Sequence, residues 1–272
     1  MTEKHLTIKG ARHDIPAVFT VPERTAAAPA VILIHGTGSD KNEVGNMFGR
    51  LAAALERRGI ASIRFDFAGC GDSPASPLEL TFKGEIGDLD AVFDYARVTD
   101  AVDSRRIALL GFSQGARVAA DLMGRRGAEI PAAVFWSGAC QQGVHDIFET
   151  WRDTYYADAV KNGYAVLPST WRDDLWLTKD WFDEIRASRP LDCLARYKGA
   201  LLAIAGDLDD LVPFAHAAEI AAAVGGGDAS SFVFKGVGHT YNAGTGQNDL
   251  SEQVITMTAD WLAERLKGKE NE

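Results

Sequence analysis

Short apolar runs punctuate the chain: "AVILIHG" (30–36), "IASIRFD" (60–66), "RIALLGF" (106–112), "AAVFWSG" (132–138), "ALLAIAG" (200–206) and "SSFVFKG" (230–236). Unbroken runs of this length suit strands covered on both faces, as in a parallel sheet. Between them, apolar residues recur at helical spacing over 46–59, stopping at Gly59, and over 80–98, 113–127 and 251–268. Ahead of them, "HLTIK" (5–9) and "AVFTV" (17–21) flank "GARHDIP" and read as an opening antiparallel pair. Strands alternating with helices imply right-handed crossovers. The expected architecture is α/β: a doubly wound, mostly parallel eight-stranded sheet whose second strand is antiparallel to the rest.

One connection breaks the rhythm. Residues 139–198 show no strand of the buried type, and sixty residues far exceed an ordinary crossover. They hold four of the six tryptophans, Trp151, Trp171, Trp176 and Trp181, together with Phe148, Tyr155, Tyr156, Tyr164 and Phe182. The pattern predicts a core domain of residues 1–138 and 199–272 carrying a helical, aromatic-rich lid or cap at 139–198. Trp151, Tyr155, Trp176 and Trp181 are its candidate substrate contacts.

Composition narrows the partners. The formal net charge of −10 disfavours nucleic acid and anionic membranes. No apolar run reaches the length of a membrane span, and the opening residues contain no apolar stretch of signal type, so a cytoplasmic protein is expected. Cys70, Cys140 and Cys193 match no zinc or disulfide pattern and read as free, buried thiols.

Ligands of parallel α/β sheets collect outside the carboxyl ends of the strands. After the 106–112 run stands Gly111-Phe112-Ser113-Gln114-Gly115, a G-x-S-x-G turn between a buried strand and a helix of small residues. Such a turn thrusts the serine out at a helix N-terminus, where developing negative charge is favoured. A serine nucleophile needs a base. His5 and His13 belong to the N-terminal pair, His35 reads as a structural hydrogen-bonder, His216 as a surface or cap residue, and His145 sits in the insert. His239, in "KGVGHTYN" directly after the last strand, is the expected base. An acid must orient it. "GDLDDLVPF" offers Asp207, Asp209 and Asp210, and spacing alone leaves all three open. The expected oxyanion donors are the backbone N–H groups of Gln114, next to the nucleophile, and of Thr37 in "HGTGSDKN". Glycine-rich turn chemistry accounts for Asp66 and Ser73 without a catalytic role.

The signatures "HGTGSDK", "GIASIRFDFAGCGDS", "GFSQG", "AGDLDDLVP" and "GVGHTY" resemble the α/β-hydrolase superfamily over nearly the whole chain, and in particular bacterial feruloyl/cinnamoyl esterases and related carboxylesterases. The resemblance implies the α/β-hydrolase fold. Its G-x-x-D-x-x-V-P acid motif, laid on Gly206 to Pro213, selects Asp209. Its oxyanion donors fall on Thr37 and Gln114. It implies a serine esterase that needs neither metal nor organic cofactor and acts on a small-molecule ester; a homodimer is left open. Two alternatives stand beside it: a small-amide hydrolase or peptidase on the same triad, and a non-catalytic ligand-binding homologue.

Overall fold

The computed structural model describes residues 2–23, 27–141, 147–169 and 173–267; His145 and Trp171 lie outside them. The strands are β1 (Thr2–Lys9), β2 (Asp14–Val21), β3 (Ala28–Ile34), β4 (Ala61–Phe65), β5 (Val102–Phe112), β6 (Ala132–Trp136), β7 (Tyr164–Leu167), β8 (Leu175–Thr178), β9 (Ala200–Gly206) and β10 (Ala229–Phe234). Eight of them form one sheet in the order β1-β2-β4-β3-β5-β6-β9-β10. Strand β2 runs antiparallel to both neighbours, and the ladders from β4 to β10 are parallel, as the apolar runs predict.

The unbroken runs are apolar because both faces are covered. Along β3, Val31 and Leu33 enter one core with Met47, Phe48 and Leu51 of α1 (Met47–Glu56). Ile32 and Ile34 enter the opposite core with Leu89, Val92 and Phe93 of α2 (Phe82–Val98) and Val118 and Leu122 of α3 (Gln114–Arg126). This period-two division is what a strand with two buried faces requires. Strand β10 departs from the pattern: it is an edge strand, and Ser230, Ser231 and Phe232 are exposed.

The insert differs from the sequence expectation in one respect. It contains α4 (Ile147–Asn162), α5 (Lys179–Ala187) and α6 (Pro190–Leu194), but also the antiparallel hairpin β7–β8, so it is not purely helical. Its buried side chains, including Phe148, Ala165, Leu177, Trp181 and Phe182, join the same core as α2 and α3. The fold closes with α7 (His216–Ala223) and α8 (Ser251–Arg265), the latter packed with α1. No described helix is long and apolar enough to cross a membrane. The three cysteines are buried and no disulfide joins them, as expected.

Candidate active site

Strand β5 lies between β3 and β6, with Gly111 paired to Ile34 and Phe112 to Trp136. Directly after it, Ser113 takes φ 52° and ψ −118°, a conformation that L-residues rarely adopt. Two glycines make the turn sterically feasible. A Cβ on Gly111 would meet the backbone of Ala116 at 2.5 Å, and one on Gly115 the carbonyl oxygen of Ile34 at 2.1 Å. Backbone bonds hold the corner, from Ser113 N–H to Trp136 O (2.9 Å) and from Ala139 N–H to Ser113 O (3.0 Å).

His239 follows β10 in a loop anchored from below. Ser137 Oγ donates to the His239 carbonyl at 2.9 Å, and the fully buried Tyr241 hydroxyl donates to Ile204 O at 3.0 Å. Neither residue is singled out in the sequence, although both stand beside recognised motifs, at the end of "FWSG" and within "GHTYN". The His239 ring packs on Phe112, with centroids 5.1 Å apart.

Of the three aspartates after β9, Asp209 alone reaches the imidazole: its Oδ2 lies 2.8 Å from His239 Nδ1. Its Oδ1 accepts the N–H groups of Leu211 (3.0 Å) and Val212 (2.8 Å), and its side chain is 0% exposed. Asp207 instead accepts from Gly236 N–H (2.6 Å), and Asp210 is exposed. A carboxylate on Nδ1 fixes the tautomer that leaves Nε2 with its lone pair. His239 is 11% exposed on its side chain.

Ser113, His239 and Thr37 share a cavity of ≈ 700 Å³ with Gly36, Glu43, Phe112 and residues of the insert. Trp151 and Tyr155 line it, beside Ile147, Phe148, Leu167 and Leu175. Trp176 and Trp181 do not. Trp176 is 39% exposed on the outer face of the hairpin, stacked on Tyr164 at 5.1 Å. Trp181 is 0% exposed and turned into the core, edge-on to Phe148 and Phe182; it borders a separate cavity of ≈ 140 Å³ with Arg117 and Ser188. Helix and strand faces decide both positions, and aromatic content alone does not give them. His216 also differs from expectation: it is buried, at the start of α7. His35 is structural as expected, its Nδ1 2.8 Å from Gly36 O and its Nε2 accepting from Phe67 N–H at 3.2 Å.

A buried chain of side chains ties the two expected oxyanion donors together. Thr37 Oγ1 donates to Gln114 Oε1 at 2.5 Å, and Gln114 Nε2 donates to Glu85 Oε2. The Gln114 amide is the first of α3, where an N–H has no acceptor within the helix. The loop carrying Thr37 is clamped further by Asp66, which accepts from Lys41 N–H (2.7 Å) and Lys41 Nζ (2.5 Å). Within its own glycine-rich turn Asp66 accepts from Asp72 N–H (2.9 Å), the turn role expected of it; the clamp on Lys41 is a further contact that the sequence does not show.

Burial pushes the Glu85 carboxyl well above its usual range; the bond from Gln114 opposes the shift, and Asp88 and Glu184 add to it. The folded chain therefore keeps a proton that the unfolded chain releases near pH ~4.3. Stability falls as pH rises through the window between the unfolded and folded values. Glu85→Gln removes the titration while keeping an acceptor for Gln114. Its melting temperature is expected to gain on the parent as pH is raised from about 5 to about 8. Thermal melts that stay parallel across that range contradict the assignment.

The model of the alpha/beta hydrolase family matches residues 31–246. The quorum-quenching protein AidA of Acinetobacter baumannii is 33% identical over 98 residues, 35% of this chain and 30% of that protein. Esterase EstD of Thermotoga maritima is 28% identical over 131 residues, 47% of this chain and 30% of that protein. The aligned segments thus span only about a third of the curated relatives' length. Among solved structures, Est1E from Butyrivibrio proteoclasticus with ferulic acid bound superposes with a TM-score of 0.79 at 20% identity, covering 96% of this chain and 99% of that one. At that identity the likeness is one of fold.

Proposed function

The chain belongs to the alpha/beta hydrolase family, and we propose that it is a serine esterase that cleaves carboxylic esters through an acyl-enzyme on Ser113. The observation that carries this reading is the His239 Nδ1–Asp209 Oδ2 contact of 2.8 Å, with His239 and Ser113 in the wall of one cavity.

In this reading Ser113 Oγ attacks the ester carbonyl and passes its proton to His239 Nε2. The imidazolium is stabilised by Asp209, which stays ionised. The carbonyl oxygen, now an anion, is held by the N–H groups of Thr37 and Gln114, each worth on the order of 3 kcal/mol to the transition state. His239 then protonates the leaving alcohol, and the acyl group remains on Ser113. Water enters, gives its proton to His239, attacks the acyl carbon, and the acid leaves as Ser113 recovers its proton.

A cavity of ≈ 700 Å³ accommodates a ligand of drug-like size. Ile147, Phe148, Trp151, Leu175 and Leu211 give it an apolar wall, which favours medium-chain or aromatic acyl groups over acetyl. Ferulic acid bound to the Est1E structure is in keeping with the aromatic case.

A panel of p-nitrophenyl acetate, butyrate and octanoate with a hydroxycinnamoyl ester tests the proposal, alongside matching anilides and a fluorophosphonate label. Octanoate or hydroxycinnamate should give the highest kcat/KM, anilides little turnover, and the label should map to Ser113. Turnover of anilides but not esters would move the reading to an amidase, and no turnover with no label would leave a binding protein.

A further inference from the structure

Beside the nucleophile stands an acid that the triad does not use. Glu43 lines the cavity and is only 8% exposed. Ser113 Cβ and Glu43 Oε1 lie 3.3 and 3.5 Å from a single point, the Cβ position that Gly36 lacks. The Glu43 carboxylate accepts the N–H groups of Gly36 at 2.6 Å and Val44 at 3.2 Å.

Those amides require an acceptor, not a charge. The two use different oxygens, Gly36 N–H on Oε1 and Val44 N–H on Oε2, so a glutamine oxygen would keep the shorter bond and give up the longer one, between adjacent residues. The backbone at Glu43, φ 59° and ψ 171°, lies in a region that is nearly glycine-only. The neighbouring Lys41 does not neutralise it, because its ammonium is committed to Asp66 and Asp72. Among the described residues of the cavity wall, Glu43 is the acidic one and there is no lysine or arginine; the other polar groups include the hydroxyls of Thr150, Thr154, Thr240 and Thr245. A charge in a recess of lowered dielectric acts on an approaching charge far more strongly than it would in water.

We propose that Glu43 sets the charge class of the substrate: the site prefers esters bearing an ammonium-type cation over neutral isosteres and rejects esters bearing a second carboxylate. This rests on the serine-esterase reading, because it concerns groups carried by the same ester.

Isosteric pairs test it on both sides of the ester bond. On the alcohol side the pair is acetylcholine and its analogue with tert-butyl in place of trimethylammonium. On the acyl side it is the p-nitrophenyl ester of γ-trimethylammoniobutyrate and its tert-butyl analogue, with the glutarate monoester as the anionic member. The cation should exceed its isostere about tenfold in kcat/KM on at least one side, and the anionic ester should fall about tenfold below the neutral one. In Glu43→Gln both ratios should approach unity. Ratios between substrates cancel whatever the substitution does to the shared chemical steps. Glu43→Asn is a second neutral variant if the first does not fold.

Neutral esters turned over with no charge order on either side, or a charge order that persists in the neutral variants, would overturn this inference while leaving the esterase reading standing. If none of the esters is turned over, both fall.

Discussion

Ser113→Ala is expected to lower kcat on the best ester of the panel by on the order of 10⁶-fold and to abolish fluorophosphonate labelling. The size of the effect follows from the elbow. The strained backbone at φ 52° and the two glycines behind it place one hydroxyl in the cavity wall. Without that oxygen, His239 and Asp209 have no nucleophile to activate. The oxyanion amides belong to the backbone and remain, so a residual acceleration of about 10³–10⁴ over water should persist. Substrate binding should survive, because the apolar wall of Ile147, Phe148 and Trp151 is untouched. Steady-state kinetics with equilibrium binding of a slow ester separates the two effects. Hydrolysis near the parent rate would place the nucleophile elsewhere.

The elbow was legible in the sequence because its causes are local. A buried strand, two glycines at a corner and a helix of small residues stand in one stretch of chain, and the same logic holds for strands β3, β4, β5, β6 and β9. The acid was not legible by spacing: Asp207, Asp209 and Asp210 stand within four residues, and the loop's path decides which one meets His239. The resemblance to esterases pointed to Asp209, the residue in contact. The hairpin β7–β8 escaped because two strands of four residues leave little alternation to read. Trp176 and Trp181 were misplaced for a related reason. Aromatic content marks an insert as cohesive, but which side chain faces the cavity depends on how α5 and the hairpin dock. Glu43 and Glu85 carried no signal at all, since an acid in a loop or on a helix usually faces water. Their burial beside Gly36 and Gln114 is a tertiary fact.

Asp209→Asn should cost about 10⁴-fold in kcat with the fold intact, the loss expected when the imidazole is held in the wrong tautomer. Two backbone amides, from Leu211 and Val212, already point at one oxygen of this side chain. In the asparagine variant the carbonyl oxygen must take that position, because the NH₂ cannot accept. The NH₂ then faces His239 Nδ1, where the carboxylate oxygen stood at 2.8 Å. Nδ1 becomes an acceptor, the proton moves to Nε2, and the ring can no longer take the proton of Ser113. Asp210→Asn, at an exposed position one residue away, should stay within about threefold of the parent, since an exposed carboxylate that far from the imidazole adds little. The pair of variants, compared by kcat on one ester and by thermal melting, isolates the tautomer from the general charge of the loop. A drop of less than about tenfold in Asp209→Asn would mean that this carboxylate does not set the state of the base.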